Sequence, residues 1–126
     1  MYQTVMVIDD SGLDCFLAET MIKNCKFAEV VVIYKNPNEA LKYLRSLGKE
    51  INQYPDVLFL DIQMPVMNGF DFLDGYLELD IELQQHCKIV ISSSSIADED
   101  QIRIKNYPVV KSFLPKPWQE EMLVKI

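Results

Sequence analysis

The chain has 126 residues, of which 49% are hydrophobic and 25% are charged, and its formal net charge is −7 at pH 7. This length allows one domain with a single core and leaves no room for a second, while the hydrophobic content excludes a disordered chain. The acidic balance argues against direct binding to nucleic acid or to an anionic membrane, since both need clustered lysine and arginine.

No apolar run is long enough to cross a membrane, and residues 1–4 lack the basic and then apolar layout of a signal peptide. A cytoplasmic location is therefore expected. The three cysteines, Cys15, Cys25 and Cys87, are an odd number without paired close spacing. We expect reduced and mostly buried thiols, and neither a disulfide framework nor a zinc site.

The first strand and the first helix are predicted between residues 4 and 24. Residues 4–8 form a β-branched apolar run typical of a buried strand, which ends at Asp9 and Asp10. Ser11, followed three residues later by Asp14, has the capping-box spacing of a helix start. The helix is indicated by residues at helical spacing whose apolar members form one stripe: Leu13, Phe16, Leu17, Thr20, Met21 and Asn24.

A second strand and a second helix are predicted next. The strand covers residues 30–34. Asn36 as N-cap, Pro37 in the first turn and Glu39 as capping partner indicate the start of the helix, which runs to about residue 47. Gly48 marks its end.

The third strand leads directly into a carboxylate. Val57–Leu60 are four apolar residues, long enough for a strand buried on both faces, and Asp61 follows them. Pro65 and the Asn68-Gly69 pair predict a loop, after which a helical pattern begins at Phe70 and has no clear end before residue 88. A carboxylate at the carboxyl end of a buried strand lies where open α/β sheets bind their ligands.

The last third of the chain repeats the alternation of strand and helix. Residues 89–91 predict a fourth strand that leads into four serines at 92–95, and the acidic residues 98–100 favour the first turn of a short fourth helix. Residues 110–114 predict a fifth strand that Pro115-Lys116-Pro117 breaks, and residues 118–126 predict a fifth helix. Five strands alternating with helices imply an α/β fold with a parallel sheet covered by helices on both faces.

The carboxyl ends of parallel strands lie at one edge of the sheet, which brings polar residues together. The predicted group contains Asp9 and Asp10, then Asp61, the serine run and Lys116. Three carboxylates repel one another unless a cation is present, and oxygen ligands without histidine or cysteine favour a hard ion such as Mg²⁺. Lys116 can pair with a carboxylate or with a phosphoryl group.

These motifs, in this order, resemble those of response-regulator receiver domains, the phosphoacceptor modules of two-component signalling. The resemblance covers essentially the whole chain and includes Asp9-Asp10, Asp61-Ile62-Gln63-Met64-Pro65 with Asn68-Gly69, the hydroxyl residue after the fourth strand, and Lys116-Pro117. It implies a flavodoxin-like, doubly wound, five-stranded parallel sheet of order 2-1-3-4-5, with residues 1–126 forming a single receiver domain.

The resemblance also implies roles for the converging residues. Asp61 would accept a phosphoryl group from a sensor histidine kinase or a histidine phosphotransfer protein. Asp10, with Asp9, would hold Mg²⁺ beside Asp61, and the backbone carbonyl of Gln63 would complete the protein ligands. Lys116 would contact the phosphoryl oxygens, and the peptide bond after it, before a proline, would be cis.

A switch is implied as well. Ser93 matches the hydroxyl residue that moves toward the phosphoryl group, with Ser94 as an alternative, and Phe113 matches an aromatic residue that turns between outward and inward rotamers. Together they would change the surface formed by the fourth helix, the fifth strand and the fifth helix, which an unknown downstream protein reads. A further hypothesis is that Gln63 and Ser95 set the lifetime of the phosphorylated form.

Three other interpretations compete with this one. A docking module of the same fold would bind a partner without being phosphorylated, although the intact Asp10, Asp61 and Lys116 argue against it. A hydrolase that uses an aspartyl phosphate, as haloacid-dehalogenase-like phosphatases do, would need a second aspartate where Gln63 stands. A flavodoxin relative would not carry two carboxylates in a phosphate-binding loop. We therefore expect a phosphoacceptor with at most Mg²⁺-dependent self-phosphorylation and self-dephosphorylation, and not an enzyme.

Overall fold

One sheet of five strands runs through the middle of the protein. The computed structural model describes residues 1–64, 67–94 and 96–126, so Pro65 and Ser95 of the predictions lie outside the described residues. The strands are β1 (Tyr2–Ile8), β2 (Ala28–Tyr34), β3 (Val57–Leu60), β4 (Lys88–Ser93) and β5 (Val110–Pro115). The described helices are α1 (Gly12–Asn24), α2 (Pro37–Ser46), α3 (Gly69–Tyr76), α4 (Ile81–His86), α5 (Asp98–Ile104) and α6 (Glu120–Leu123), with a 3-10 turn at Ile51–Gln53.

All neighbouring strands are parallel, in the order β2-β1-β3-β4-β5. The prediction of an α/β, flavodoxin-like, doubly wound sheet is therefore confirmed. The chain adds β2 on one side of β1 and β3 on the other, so the direction of growth reverses between β1 and β3. At such a reversal a crevice forms outside the carboxyl ends of the strands, and ligands of open α/β sheets bind there. The functional site is therefore expected at the carboxyl ends of β1 and β3.

Side chains alternate between two apolar layers. Met6 and Ile8 of β1 point toward the layer formed with α2 to α5, while Val5 and Val7 point toward the layer formed with α1 and α6. Because helices cover both faces, the strands in the middle of the sheet are apolar on both sides, and all four residues of Val57–Leu60 are buried.

The structure corrects the prediction for α1. The helix begins as predicted, with Ser11 as its N-cap, but it buries Cys15, Ala18 and Ile22. Of the predicted apolar stripe, Leu13, Phe16 and Leu17 instead face solvent, with exposed fractions of 67%, 62% and 51%, whereas Met21 is half-buried and packs against the core. Small residues at 15 and 18 let the helix lie close to the sheet. The spacing predicted the helix correctly and its buried face wrongly.

The region predicted as one third helix contains two. Asn68 and Asp71 form a capping box that begins α3, and Asp80 caps α4 by accepting a hydrogen bond from the amide of Glu82 at 3.0 Å. Gly75 stays inside α3, where an added β-carbon would lie 2.8 Å from Leu41 Cδ1 of α2. The absence of a side chain there lets α2 and α3 pack closely.

The bounds of β4, β5 and the last helix also differ from the prediction. The strand β4 covers Lys88–Ser93 and so includes the first two serines of the run, instead of ending at residue 91. The strand β5 ends at Pro115, one residue later than predicted and within the Pro115-Lys116-Pro117 run, and the amide of Lys116 still donates to the carbonyl of Ser93 at 3.0 Å. The last helix is a single turn, Glu120–Leu123, and does not start at Trp118. The Trp118 ring packs against Phe59, with ring centroids 4.6 Å apart, and so holds residue 118 outside the helix.

Two further expectations can be compared with the described residues. Cys15 and Cys87 are buried, Cys25 is half-buried, and all three are free thiols. Among the described residues, no helix combines the length and the apolar character that a membrane crossing requires.

Candidate functional site

The carboxyl ends of β1 and β3 bring three carboxylates together. Asp9 and Asp10 follow β1, and Asp61 follows β3. One side-chain oxygen from each lies within 4.8 Å of the other two. Asp9 and Asp61 are buried and Asp10 is exposed, so the group has one side toward the protein and one side toward water.

Backbone hydrogen bonds hold the two buried carboxylates in place. The amide of Asp9 donates to the carbonyl of Tyr34 at 3.1 Å, and the amide of Asp61 donates to the carbonyl of Ile8 at 3.0 Å. Each side chain then accepts from the amide two residues further on, Ser11 for Asp9 (3.0 Å) and Gln63 for Asp61 (2.9 Å). Both carboxylates are therefore oriented before any ligand arrives.

Lys116 reaches this group from the end of β5. Its Nζ donates to Asp9 Oδ2 at 2.6 Å, to Asp14 Oδ2 at 2.9 Å and to Asp61 Oδ2 at 3.2 Å. The peptide bond between Lys116 and Pro117 is cis, as the family resemblance implied. The sheet thus brings a residue from the end of the chain onto carboxylates from its beginning and middle.

Burial and hydrogen bonding act in opposite directions on the charges. Burial alone would lower the pKa of the Lys116 ammonium, but the hydrogen bonds to Asp9 and Asp14 outweigh it and raise that pKa above its ordinary value. For Asp9, burial outweighs the hydrogen bonds from Lys116 and from the amide of Ser11, so its pKa is also raised. Lys116 therefore stays charged, whereas keeping the buried Asp9 carboxylate charged costs free energy.

Asp14 is the residue that sequence reasoning assigned to a different role. It was predicted as the second half of a capping box, and its amide does donate to Ser11 Oγ at 3.2 Å. Its carboxylate, however, contacts Lys116 instead of the amide of Ser11, which donates to Asp9. The sequence signal for this contact was a carboxylate in the first helical turn after Asp9-Asp10. Whether that carboxylate reaches Lys116 depends on where β5 ends, because Lys116 follows β5.

The serine run divides between the two faces of β4. Ser92 is buried and its Oγ accepts a hydrogen bond from Trp118 Nε1 at 2.7 Å. Ser93 is buried at the end of β4, and Ser94 is exposed beyond it. Phe113 pairs in register with Ile91, so it shares a sheet face with Ser93 by the two-residue alternation, and it is exposed.

A cavity of about 550 Å³ connects the charged group to an apolar groove. Asp9, Asp14, Asp61 and Lys116 line one part of it, and the remainder is lined mainly by apolar residues of α1, the sheet and the last loop, among them Leu17, Met21, Phe59 and Trp118. Trp118 is a second residue of the site that the sequence did not indicate, because its role depends on the packing of the last loop against β3 and β4.

Gly69 shapes the loop that follows Asp61. Its amide donates to the carbonyl of Ile62 at 3.1 Å, and a β-carbon at residue 69 would lie 2.6 Å from the Ile62 Cα. The chain therefore returns close to the residue after Asp61 before α3 begins. This close approach gives a physical reason for glycine in the Asn68-Gly69 pair.

The chemistry of the donor set fits a hard divalent cation. Three carboxylates offer oxygen atoms close enough to share one ion, and the exposed side at Asp10 leaves room for water ligands, which Mg²⁺ retains. Lys116 supplies a fixed positive charge beside the same oxygens. Such a combination can neutralise a phosphoryl group that is transferred to a carboxylate.

Residues 5–126 match the sequence model of the response regulator receiver domain. A protein-glutamate methylesterase/protein-glutamine glutaminase from Burkholderia thailandensis is 41% identical over 75 residues, which are 60% of this chain and 19% of that protein. The match thus spans about a fifth of the length of this curated relative.

Solved structures show the same fold over nearly the full chain. A response regulator receiver protein from Dyadobacter fermentans superposes with a TM-score of 0.86 at 27% identity, covering 98% of this chain and 93% of that one. A two-component response regulator from Cytophaga hutchinsonii superposes with a TM-score of 0.88 at 24% identity, covering 98% and 92%.

Proposed function

Because the chain belongs to the response regulator receiver domain family, we propose that it is a phosphoacceptor in two-component signalling. Asp61 takes a phosphoryl group from the phosphohistidine of a sensor histidine kinase or a histidine phosphotransfer protein. The observation that carries the proposal is the convergence of Asp9, Asp10 and Asp61 within 4.8 Å, with the Lys116 ammonium bonded to two of them.

In the transfer, a carboxylate oxygen of Asp61 attacks phosphorus and forms a new O–P bond. The N–P bond to the donor histidine breaks, and the imidazole leaves with that electron pair. Such transfers need positioning and charge neutralisation more than covalent help. The amide of Gln63 orients Asp61, while Lys116, already bonded to Asp61 Oδ2, is placed to donate to the incoming phosphoryl oxygens.

Asp9, Asp10 and Asp61 would hold Mg²⁺, with the backbone carbonyl of Gln63 as a further ligand. The bound ion supplies additional positive charge for the phosphoryl oxygens. This proposal is supported by the all-oxygen donor set and by the raised pKa of Asp9, which burial keeps in a costly charged state that a cation would relieve. Without a bound cation, the three neighbouring carboxylates repel one another.

Phosphorylation adds about one negative charge and new acceptor oxygens to Asp61. Ser93, or Ser94 in its place, would donate to these oxygens, and Phe113 would turn from its exposed position toward the space that the serine leaves. The changed surface consists of α5, β5 and α6, and a downstream protein would read it. The shared sheet face of Ser93 and Phe113 supports this pairing.

The donor protein needs a surface beside the site. The exposed apolar residues of α1, Leu13, Phe16 and Leu17, supply one, and Leu17 also lines the cavity that contains Asp61. We propose that the phosphodonor packs against this face of α1. The methylesterase activity named for the curated relative is not part of the proposal, since the match covers 19% of that protein.

Intact-mass analysis after incubation with acetyl phosphate tests the proposal. The wild type should gain the mass of one phosphoryl group in the presence of Mg²⁺ and not in its absence. Asp61→Asn should gain none, while Asp98→Asn, which removes an exposed aspartate at the start of α5, should behave like the wild type. A wild type without any mass gain would overturn the proposal and favour the unphosphorylated docking module.

A further inference from the structure

Asp14 is a carboxylate that the proposed transfer does not use, yet it is bonded to the lysine that the transfer needs. Its Oδ2 lies 2.9 Å from Lys116 Nζ, closer than the Asp61 oxygen at 3.2 Å. It comes from α1, whereas Asp9 and Asp61 follow strands. Its position therefore depends on the docking of a helix and not on the sheet edge.

The Lys116 ammonium is saturated by these contacts. An ammonium has three N–H donors, and Asp9, Asp14 and Asp61 accept one hydrogen bond each. To donate a further hydrogen bond to a phosphoryl oxygen, Lys116 must give up one of them. The Asp14 side chain is 35% exposed, against 5% for Asp9, so water can most readily replace the lysine at Asp14.

We propose that Asp14 is a positioning residue that restrains Lys116 and slows the phosphorylation of Asp61. The inference rests on the proposed function. When acetyl phosphate is the donor, an Asp61 oxygen bonds to phosphorus, the bond from phosphorus to the acetate oxygen breaks, and acetate leaves with that electron pair. Asp14 opposes this step in two ways: it competes with the phosphoryl oxygens for the ammonium, and its own charge repels the anionic donor.

The size of the effect follows from the geometry. The Asp14 and Asp61 oxygens share one ammonium, so they are no further apart than two hydrogen bonds. At that separation a unit charge near the surface changes the rate of reaction with an anion by about three- to ten-fold, and salt screens part of the change. A change in side-chain packing alone would not depend on salt in this way.

Initial rates of phosphorylation by acetyl phosphate, followed by intact mass with Mg²⁺ present, test the inference. Asp14→Asn and Asp14→Ser both remove the charge and should react about three- to ten-fold faster than the wild type at low salt. The advantage should shrink at high salt. Asp14→Glu restores the charge and should return the rate toward that of the wild type.

The matched control is Glu19→Gln, which removes an acidic residue from the same helix, where it pairs with Lys23 at 3.7 Å and not with Lys116. Its rate should equal that of the wild type. Charge-removing variants that are folded but react no faster than the wild type, or a rate advantage that high salt leaves intact, would overturn the inference alone. A wild type that acetyl phosphate does not modify would overturn the proposed function and this inference together.

Discussion

Replacing Lys116 with methionine removes the positive charge that three carboxylates share while keeping a long apolar side chain. The Asp9 and Asp61 side chains are only 5% and 9% exposed, so neither can recover full hydration. Removing one partner of a buried charge pair costs about 3–5 kcal/mol, and the more exposed Asp14 contact adds at most about 1 kcal/mol. Because the site opens to water at Asp10, we expect a loss at the lower end of this range, so that Lys116→Met lowers the free energy of unfolding by about 3 kcal/mol.

Urea denaturation without divalent cations measures this loss. Lys111→Met is the matched control, because Lys111 is an exposed lysine on β5, the strand that Lys116 follows, and its Nζ donates to the carbonyl of Pro108 at 3.0 Å. It should change the free energy of unfolding by less than about 0.5 kcal/mol.

Excess Mg²⁺ should then reduce the difference between Lys116→Met and the wild type. A ligand at a hundred times its Kd stabilises a folded protein by about 2.7 kcal/mol, and the variant's carboxylates, which no longer bind an ammonium, should bind the ion more tightly than those of the wild type. The reasoning is refuted if Lys116→Met is as stable as the wild type without cations. It is also refuted if Mg²⁺ leaves the difference unchanged.

Two further substitutions test the loop after β3 and the charge of Asp9. Gly69→Ala should lower the free energy of unfolding by about 1–3 kcal/mol, because the new β-carbon would lie 2.6 Å from the Ile62 Cα; an unchanged urea midpoint would contradict this. The raised pKa of Asp9 means that its contribution to stability is complete below its ordinary value of 3.8 and is lost as the pH rises through the folded value. Asp9→Asn should therefore raise the free energy of unfolding of the cation-free protein at pH 7, and this gain should disappear as the pH falls below about 3.8, where the wild-type carboxyl is itself protonated; a gain independent of pH would exclude the charge as its cause.

Much of the fold followed from local patterns. All five strands were predicted, and continuous apolar runs identified β1, β3 and β4 because a strand buried on both faces needs such a segment. Asn36 and Ser11 predicted two helix starts, because an N-cap depends on residues within one turn. The predictions failed where non-local packing decided the outcome: the buried face of α1, the division between α3 and α4, and the single turn of α6.

In the candidate site, too, some features follow from the local sequence and others from tertiary packing. The sequence by itself determined that Asp9, Asp10, Asp61 and Lys116 follow strands of a parallel sheet, and strand direction alone brings such residues to one edge. Only the tertiary structure decided that Asp14 shares the ammonium of Lys116 and that Trp118 bonds to Ser92. These contacts join residues 102 and 26 positions apart in the chain, and their geometry depends on how α1 and the last loop pack against the sheet.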